Sequence, residues 1–285
     1  MIWKHQPNAD GGWAYSRGCS WTEPTVLALL AHVAAGVRND SYYGGLKFLR
    51  SVAAPDGGFR PHPAVTESTW VTAAVTLLPE EAIGEPQYRR AIEWLKGQTG
   101  RESGLNFRFR HWMSGSKDRY PAAWPWFPGA AAWVIPTAFG ILAFERARAM
   151  YPDSALDERI QSAQDFLLTR MCADGGWNHG SNRALGKEGD SYPETTGIAL
   201  LALASASPSR SIEKAKAATA KHLESCRAVE GRAWLTMGLA AHHVAAALNA
   251  PAICQTPVEE ALITLAAAPI NPLRTPLRTP VKRAV

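Results

Sequence analysis

Five segments of the chain are apolar on almost every side of the helix they would form, and five others are apolar along one face only. A helix that is apolar all round is buried, whereas a helix with a single apolar stripe lies at the surface of a core. The first set predicts inner helices at residues 25–36, 69–78, 137–144, 196–203 and 233–244. The second set predicts outer helices at residues 41–52, 88–97, 156–169, 212–227 and 258–267. Because the two kinds alternate, they predict two concentric rings of helices.

A turn motif precedes three of the predicted inner helices. Asp-Gly-Gly followed by an aromatic residue occurs at residues 10–13, 56–59 and 174–177. Each copy is followed by a Glu and, two residues later, a Thr: Glu23 with Thr25, Glu67 with Thr69 and Glu194 with Thr196. A degenerate fourth copy lies at residues 133–137. Repeats with a period of a few tens of residues indicate units that are stable only against their neighbours. The predicted fold class is therefore all-α, an α/α toroid of about five to six helical hairpins.

Composition favours one globular domain followed by a tail. The 285 residues are 46% hydrophobic, and no stretch resembles an interdomain linker before residue 269. We therefore expect a toroid domain at residues 1–268 and a disordered Pro- and Arg-rich tail at residues 269–285. The net charge is +5, and the tail contributes +4 of it through Arg274, Arg278, Lys282 and Arg283. The near-neutral body argues against a nucleic-acid partner.

Neither a signal peptide nor a membrane span is evident in the sequence. The first residues lack an apolar core of the kind that signal peptides carry, and no uninterrupted apolar run could cross a bilayer. A cytoplasmic protein is expected, with a peripheral contact to a membrane surface left open. The four cysteines are scattered without the paired spacing of zinc or redox sites, so reduced thiols and no metal are expected.

Two segments resemble the Gln-Trp repeats of the terpene cyclase and prenyltransferase superfamily. They lie at residues 91–98 before 104–107, and at residues 163–168 before 174–177. The resemblance extends over about residues 13–267 and is strongest to squalene-hopene cyclases. It implies the toroid fold and an isoprenoid or other apolar chain as ligand inside the barrel. It implies no cofactor unless the substrate is a diphosphate, in which case Mg²⁺ would be needed.

The same resemblance suggests an acid at one inner helix. Class II cyclases of the family protonate an alkene or epoxide with the middle Asp of an Asp-X-Asp-Asp motif, which this chain lacks. Tyr192-Pro193-Glu194-Thr195 falls at its place, which implies that Glu194 is the proton donor and that Asp190 polarises it. Glu23 and Glu67 stand at equivalent places in their own repeats and are expected to contact the substrate. A carboxylate in the first turn of a helix also stabilises that helix, so helix capping is the alternative role for all three glutamates.

Tryptophan residues supply the second half of cyclase chemistry, since ring faces stabilise cations without reacting with them. Trp70, Trp133 and Trp234 fall in or at the start of inner helices. Trp124 and Trp126 fall in an aromatic-rich segment, residues 100–129, that interrupts the repeat and is expected to fold over the barrel mouth. The five rings are predicted to line the ligand cavity, with core packing as the alternative.

Three function classes are compatible with the sequence. The first is a small terpene cyclase-like enzyme, which a second subunit would complete. The second is a non-catalytic toroid that binds a lipid or a protein. The third is a carbohydrate-active α/α barrel that uses two of the carboxylates of Glu23, Glu67, Asp190 and Glu194. A prenyltransferase zinc site is not expected, because the chain contains no Asp-X-Cys pair and the adjacent His242 and His243 point apart on a helix.

Overall fold

The computed structural model describes residues 4–104, 113, 121–180, 183–184, 187–249 and 254–274. Within those ranges the all-α class is confirmed. The α-helices are, in chain order, α1 (Thr22–Ala34), α2 (Asp40–Val52), α3 (Val71–Val75), α4 (Glu80–Ile83), α5 (Glu85–Gly97), α6 (Val134–Met150), α7 (Ser154–Thr169), α8 (Pro193–Ala202), α9 (Arg210–Ser225), α10 (Val229–Ala241) and α11 (Pro257–Ala267). Two-residue strands, β1 (Arg183–Ala184) and β2 (Lys187–Glu188), form a short antiparallel hairpin before α8.

Six helices contact one another in a closed cycle. Helix α1 packs against α3, α3 against α6, α6 against α8, α8 against α10, α10 against α11, and α11 against α1. Four amphipathic helices pack outside this cycle: α2 against α1, α5 against α3 and α6, α7 against α6, and α9 against α8 and α10. This order of contacts is the one expected of an α/α barrel, with an inner and an outer layer.

Helix α11 corrects one assignment made from the sequence. Residues 258–267 were predicted as an outer helix, but α11 lies between α10 and α1, and Ala261, Leu262 and Leu265 are buried there. The sequence resembles that of a surface helix because Glu259 and Glu260 stand in its first turn. Acids at that position meet the free N–H groups of the helix end and do not define a solvent-facing stripe. The barrel is therefore closed by a sixth inner helix.

The turn motif anchors the inner helices at one end. In each Asp-Gly-Gly turn the second glycine N–H donates to the Asp side chain at 3.0 Å, and the first glycine has a φ between +89° and +98°. Only glycine adopts that conformation without strain. The following aromatic residue donates its backbone N–H to a Thr Oγ1 on the inner helix: Trp13 to Thr25 (2.9 Å), Phe59 to Thr72 (2.8 Å) and Trp177 to Thr196 (2.9 Å). Thr137, the last residue of the degenerate fourth copy, accepts the same kind of bond from the backbone N–H of Trp124 at 3.2 Å, although no Asp-Gly-Gly turn precedes Trp124.

The second repeat uses a different Thr from the one predicted. The anchor is Thr72, 13 residues after Phe59, a spacing close to the 12 residues from Trp13 to Thr25, and the helix begins at Val71. Glu67 therefore lies in an exposed loop and not in the first turn of a helix. Trp70, two residues before Thr72, takes the place that Glu23 takes two residues before Thr25. The predicted equivalence of Glu67 with Glu23 is wrong.

The ends of two predicted segments reach beyond the described residues. Of the aromatic-rich segment 100–129, residues 105–112 and 114–120 lie outside them. Of the predicted tail, residues 275–285 lie outside them, and the boundary at residue 268 stays a prediction. Residues 269–274 pack against the barrel: Leu273 is 1% exposed, and Arg146 and Arg274 donate to the backbone carbonyls of Pro272 and Ala241. No helix in the described ranges combines the length and apolarity that crossing a bilayer requires.

Candidate functional site

Three glutamates stand in the first turns of inner helices at one end of the barrel, which we call the mouth. They are Glu23 on α1, Glu194 on α8 and Glu230 on α10. All three are half-buried. The Glu194 carboxylate lies against the start of α10, where its Oε1 would be only 3.0 Å from a Cβ on Gly231. The Thr25 and Thr196 anchors on α1 and α8 hold Glu23 and Glu194 at this end of the barrel.

The surroundings of Glu23 strongly perturb its carboxyl. Its Oε2 accepts a hydrogen bond from the hydroxyl of Tyr15. Burial raises the pKa of Glu23 to about 7, the hydrogen bond from Tyr15 opposes that rise, and the charge of Glu230 adds to it. A carboxyl with this pKa still holds its proton in part of the molecules near neutral pH, unlike an ordinary glutamate. It can therefore act as a general acid under those conditions.

Glu230 was not identified from the sequence. Burial raises its pKa, and the charges of Glu259 and Glu194 raise it further. The available signal was its place at the start of the fifth inner helix, matching Glu23 and Glu194. It was missed because the apolar run of that helix begins at Ala233, whereas the helix itself begins at Val229.

Asp190, predicted to polarise Glu194, is exposed. No hydrogen bond joins the two side chains in the described ranges. The neighbouring Ser191 is instead tied into the turn: its Oγ donates to Asp174 at 2.6 Å and lies 2.6 Å from His222 Nε2. The role of Asp190 stays a prediction.

Aromatic rings form a continuous series from the mouth into the barrel. Trp126 contacts Trp70 edge-on with ring centroids 5.0 Å apart, and Trp70 contacts Phe139 at 5.1 Å. Phe139 in turn contacts Trp234 at 6.1 Å. The series connects the aromatic-rich segment, α3, α6 and α10. Three of the five tryptophans predicted as cavity residues, Trp70, Trp126 and Trp234, are thus in one connected group.

The other two predicted tryptophans lie apart from this series. Trp133 is 37% exposed at the mouth and contacts His179 at 6.4 Å, which contacts Tyr192 at 5.3 Å. Trp124 is 2% exposed, and its indole N–H donates to Leu95 O at 3.0 Å. That bond and its backbone anchor to the inner helix give Trp124 the same packing role as Trp177, whose indole N–H donates to Leu167 O.

A small apolar groove opens beside Trp70. Its lining includes Trp70, Trp94, Trp124, Phe127, Pro128 and Pro136. The space between these side chains, about 240 Å³, includes open solvent. The groove is therefore a surface depression and not an enclosed ligand cavity.

Metal ligands are not grouped in the described ranges, where no three His, Cys, Asp or Glu side chains are arranged to hold an ion. The four cysteines are free thiols. His242, one of the adjacent histidine pair, is tied to the fold through its Nε2, 2.9 Å from Leu200 O.

Comparison with solved structures shows that this helical barrel has a terpene cyclase-like fold. One structure that it resembles is ent-copalyl diphosphate synthase from Streptomyces platensis, with a TM-score of 0.54 and 17% sequence identity over 86% of this chain. The chain spans 50% of that protein's length. No protein-family model matches the sequence, and no curated protein matches it.

Proposed function

We propose that this protein binds an isoprenoid or similar apolar chain at the barrel mouth and cyclises it by protonation, with Glu23 as the acid. The observation that carries the proposal is a carboxyl of raised pKa at the end of the barrel where a series of aromatic rings begins. Trp70 directly precedes α3 and, like Glu23 on the adjacent α1, lies two residues before the Thr that anchors its helix, so the acid and this ring of the series belong to neighbouring repeats.

The chemistry requires a carboxylic acid that keeps its proton. An alkene is a very weak base, so its protonation needs a neutral acid held in a desolvated place with the proton directed at the double bond. Glu23 supports this role through its burial and through Glu230, both of which favour its neutral form. Glu194 stays a second candidate for the acid, with Asp190 as its proposed neighbour.

The ring series suits the cation that follows protonation. Aromatic faces attract a cation within about 6 Å of the ring centre, and they offer no lone pair that would trap it. Trp70, Trp126 and Trp234 are proposed to stabilise the cation along its path, and Trp133 to contact the substrate at the rim. Trp124 is proposed to contribute one wall of the apolar groove.

The charge at the mouth favours a neutral substrate over a diphosphate. Within the described ranges, the groups that act on Glu23 and Glu230 are Tyr15 and other carboxylates. A diphosphate placed there would meet like charges at short range, which costs several kcal/mol in a partly desolvated site. An alkene or an epoxide carries no such penalty. The proposed reaction therefore needs no Mg²⁺.

Product formation tests this proposal. Purified protein would be incubated with squalene, oxidosqualene, farnesyl diphosphate and geranylgeranyl diphosphate, and the extracts analysed by gas chromatography and mass spectrometry. We expect a cyclic product from a neutral substrate, abolished by Glu23→Gln and retained by the exposed Glu67→Gln. A product lost only in Glu194→Gln would transfer the acid role to Glu194. A product formed by both variants would remove both glutamates from the mechanism.

A non-catalytic barrel that binds a lipid or a protein partner is the second candidate. Two observations favour it: the chain lacks the Asp-X-Asp-Asp motif, and it spans half of the structure it resembles. A second subunit would then complete the site, or the exposed aromatic residues Tyr15, Phe127, Trp133 and Tyr192 would contact a membrane surface from the cytoplasmic side. Retention of squalene without any product would support this function, and stoichiometric binding is measurable from quenching of tryptophan fluorescence.

A further inference from the structure

The hydroxyl of Tyr15 contacts the proposed acid, Glu23, directly. Tyr15 lies in the loop between the first Asp-Gly-Gly turn and α1, a loop closed by backbone pairing of Trp13 with Trp21. Its ring contacts Trp21 with centroids 6.0 Å apart, and Trp21 contacts His62 at 4.8 Å. These contacts hold the phenol in place although 45% of the residue's surface is exposed.

We propose that Tyr15 is the positioning residue for Glu23, orienting its carboxyl and strengthening it as an acid. This inference rests on the proposed function. The Tyr15 hydroxyl donates to Oε2, so in the neutral acid the proton sits on Oε1, the oxygen that Tyr15 leaves free. The same hydrogen bond becomes charge-assisted when Glu23 ionises, which stabilises the carboxylate that proton transfer produces.

The surroundings keep Tyr15 in the donating form. Burial raises the pKa of its phenol, the charge of Glu23 and the hydrogen bond to it raise it further, and Glu230 adds to the rise. The phenol therefore keeps its proton throughout the range in which Glu23 titrates. The charge that raises the pKa of Glu23 is that of Glu230 on α10. The charges of Glu259 on α11 and Glu194 on α8 raise the pKa of Glu230 in turn.

In the proposed proton transfer, the π electrons of the substrate's alkene form a bond to the proton on Glu23 Oε1, and the O–H electrons stay on Glu23, which becomes a carboxylate held by Tyr15. The substrate becomes a tertiary carbocation, cyclises along the aromatic series and loses a proton to water. Glu23 then takes up a proton from solvent, so the reaction is an isomerisation without an oxidant or a reductant.

Two opposing influences thus set the acidity of Glu23. Burial and Glu230 keep it protonated, whereas Tyr15 favours its release of the proton. A general acid works best when its pKa is near the working pH, because it must hold the proton before the reaction and release it during the reaction. Without Tyr15 the carboxyl would hold its proton too tightly and would rotate freely.

Tyr15→Phe tests the inference, since it removes the hydroxyl and keeps the ring against Trp21. Tyr43→Phe is the matched control, because Tyr43 is an exposed tyrosine on α2. Titration of Glu23 by carbon-13 NMR of the carboxyl, assigned with Glu23→Gln, should show an upward shift of its pKa in Tyr15→Phe and none in Tyr43→Phe. This readout needs no substrate, so it is independent of the proposed function.

Activity provides the second readout. If the wild type forms a cyclic product, Tyr15→Phe should lower kcat about 10- to 100-fold, the loss expected for one hydrogen bond to a charged group, with KM unchanged. An unshifted Glu23 titration, or a shift accompanied by unchanged kcat, would overturn the positioning role. A shifted titration in a protein whose wild type forms no product would uphold the control of Glu23 by Tyr15 and refute the cyclase function.

Discussion

Replacement of Glu23 by Gln should make the folded protein more stable at alkaline pH and leave its stability unchanged at acidic pH. The ordinary pKa of the carboxyl is 4.5, which applies to the unfolded chain, and burial in the folded protein raises it to about 7. Between those values the folded state binds the proton more tightly, so stability falls as the pH rises through this window. The difference between the folded and unfolded pKa, about 2.5, lowers the free energy of unfolding by at most about 3 kcal/mol, at about 1.36 kcal/mol for each pKa unit.

Urea unfolding at about pH 4 and about pH 8.5 measures this effect, since these values lie outside the window on either side. Gln cannot ionise, and its amide oxygen can still accept the hydrogen bond from Tyr15. The free energy of unfolding of Glu23→Gln relative to wild type should therefore increase by up to about 3 kcal/mol between the two pH values. Glu67→Gln, at an exposed loop position, is the control and should show no such change. An equal difference between Glu23→Gln and wild type at both pH values would refute the assignment of a buried, proton-retaining carboxyl.

Two further substitutions test how the barrel is held together. Gly238→Ala should destabilise the fold by about 1–3 kcal/mol, because the new Cβ would lie 2.6 Å from Gly197 O where α8 and α10 touch. Gly97→Ala is the control, since no atom lies within 4 Å of a Cβ at that position. Equal urea-unfolding midpoints for the two variants would contradict the close packing of α8 and α10. Leu273→Ala should lower the free energy of unfolding by about 2–5 kcal/mol, because the Leu273 side chain is buried. Ile270→Ala should lower it little, since Ile270 is 61% exposed. An unchanged free energy of unfolding in Leu273→Ala would show that residues 269–274 do not support the barrel.

Much of the barrel could be predicted from the sequence because helical burial and turn chemistry are local properties. Inner helices such as α8 are apolar on every side, and an Asp-Gly-Gly turn requires glycine at one defined φ. These signals do not depend on distant contacts. The ring assignment failed at α11 because inner or outer position depends on the neighbours of a helix, and its first-turn acids resemble those of a surface helix.

The site was harder to predict because it depends on the exact helix starts and on which groups meet across the barrel. Glu194 and Glu23 are alike in sequence. Each lies in the first turn of an inner helix, two residues before the Thr that anchors that helix. The hydrogen bond from Tyr15 distinguishes Glu23, and it depends on how the loop before α1 folds. The hydrogen bond from Tyr15 spans eight residues of loop, and the sequence carries no pattern that specifies it.

The most direct test of the proposed function is the mass of the product formed in deuterated water. Protonation by Glu23, whose carboxyl exchanges with solvent, predicts a cyclic product one mass unit heavier than the product formed in ordinary water, with the deuterium on the carbon where cyclisation starts. Glu23→Gln should form no such product. A cyclic product without deuterium, or a deuterated product from Glu23→Gln, would contradict a cyclisation started by this carboxyl.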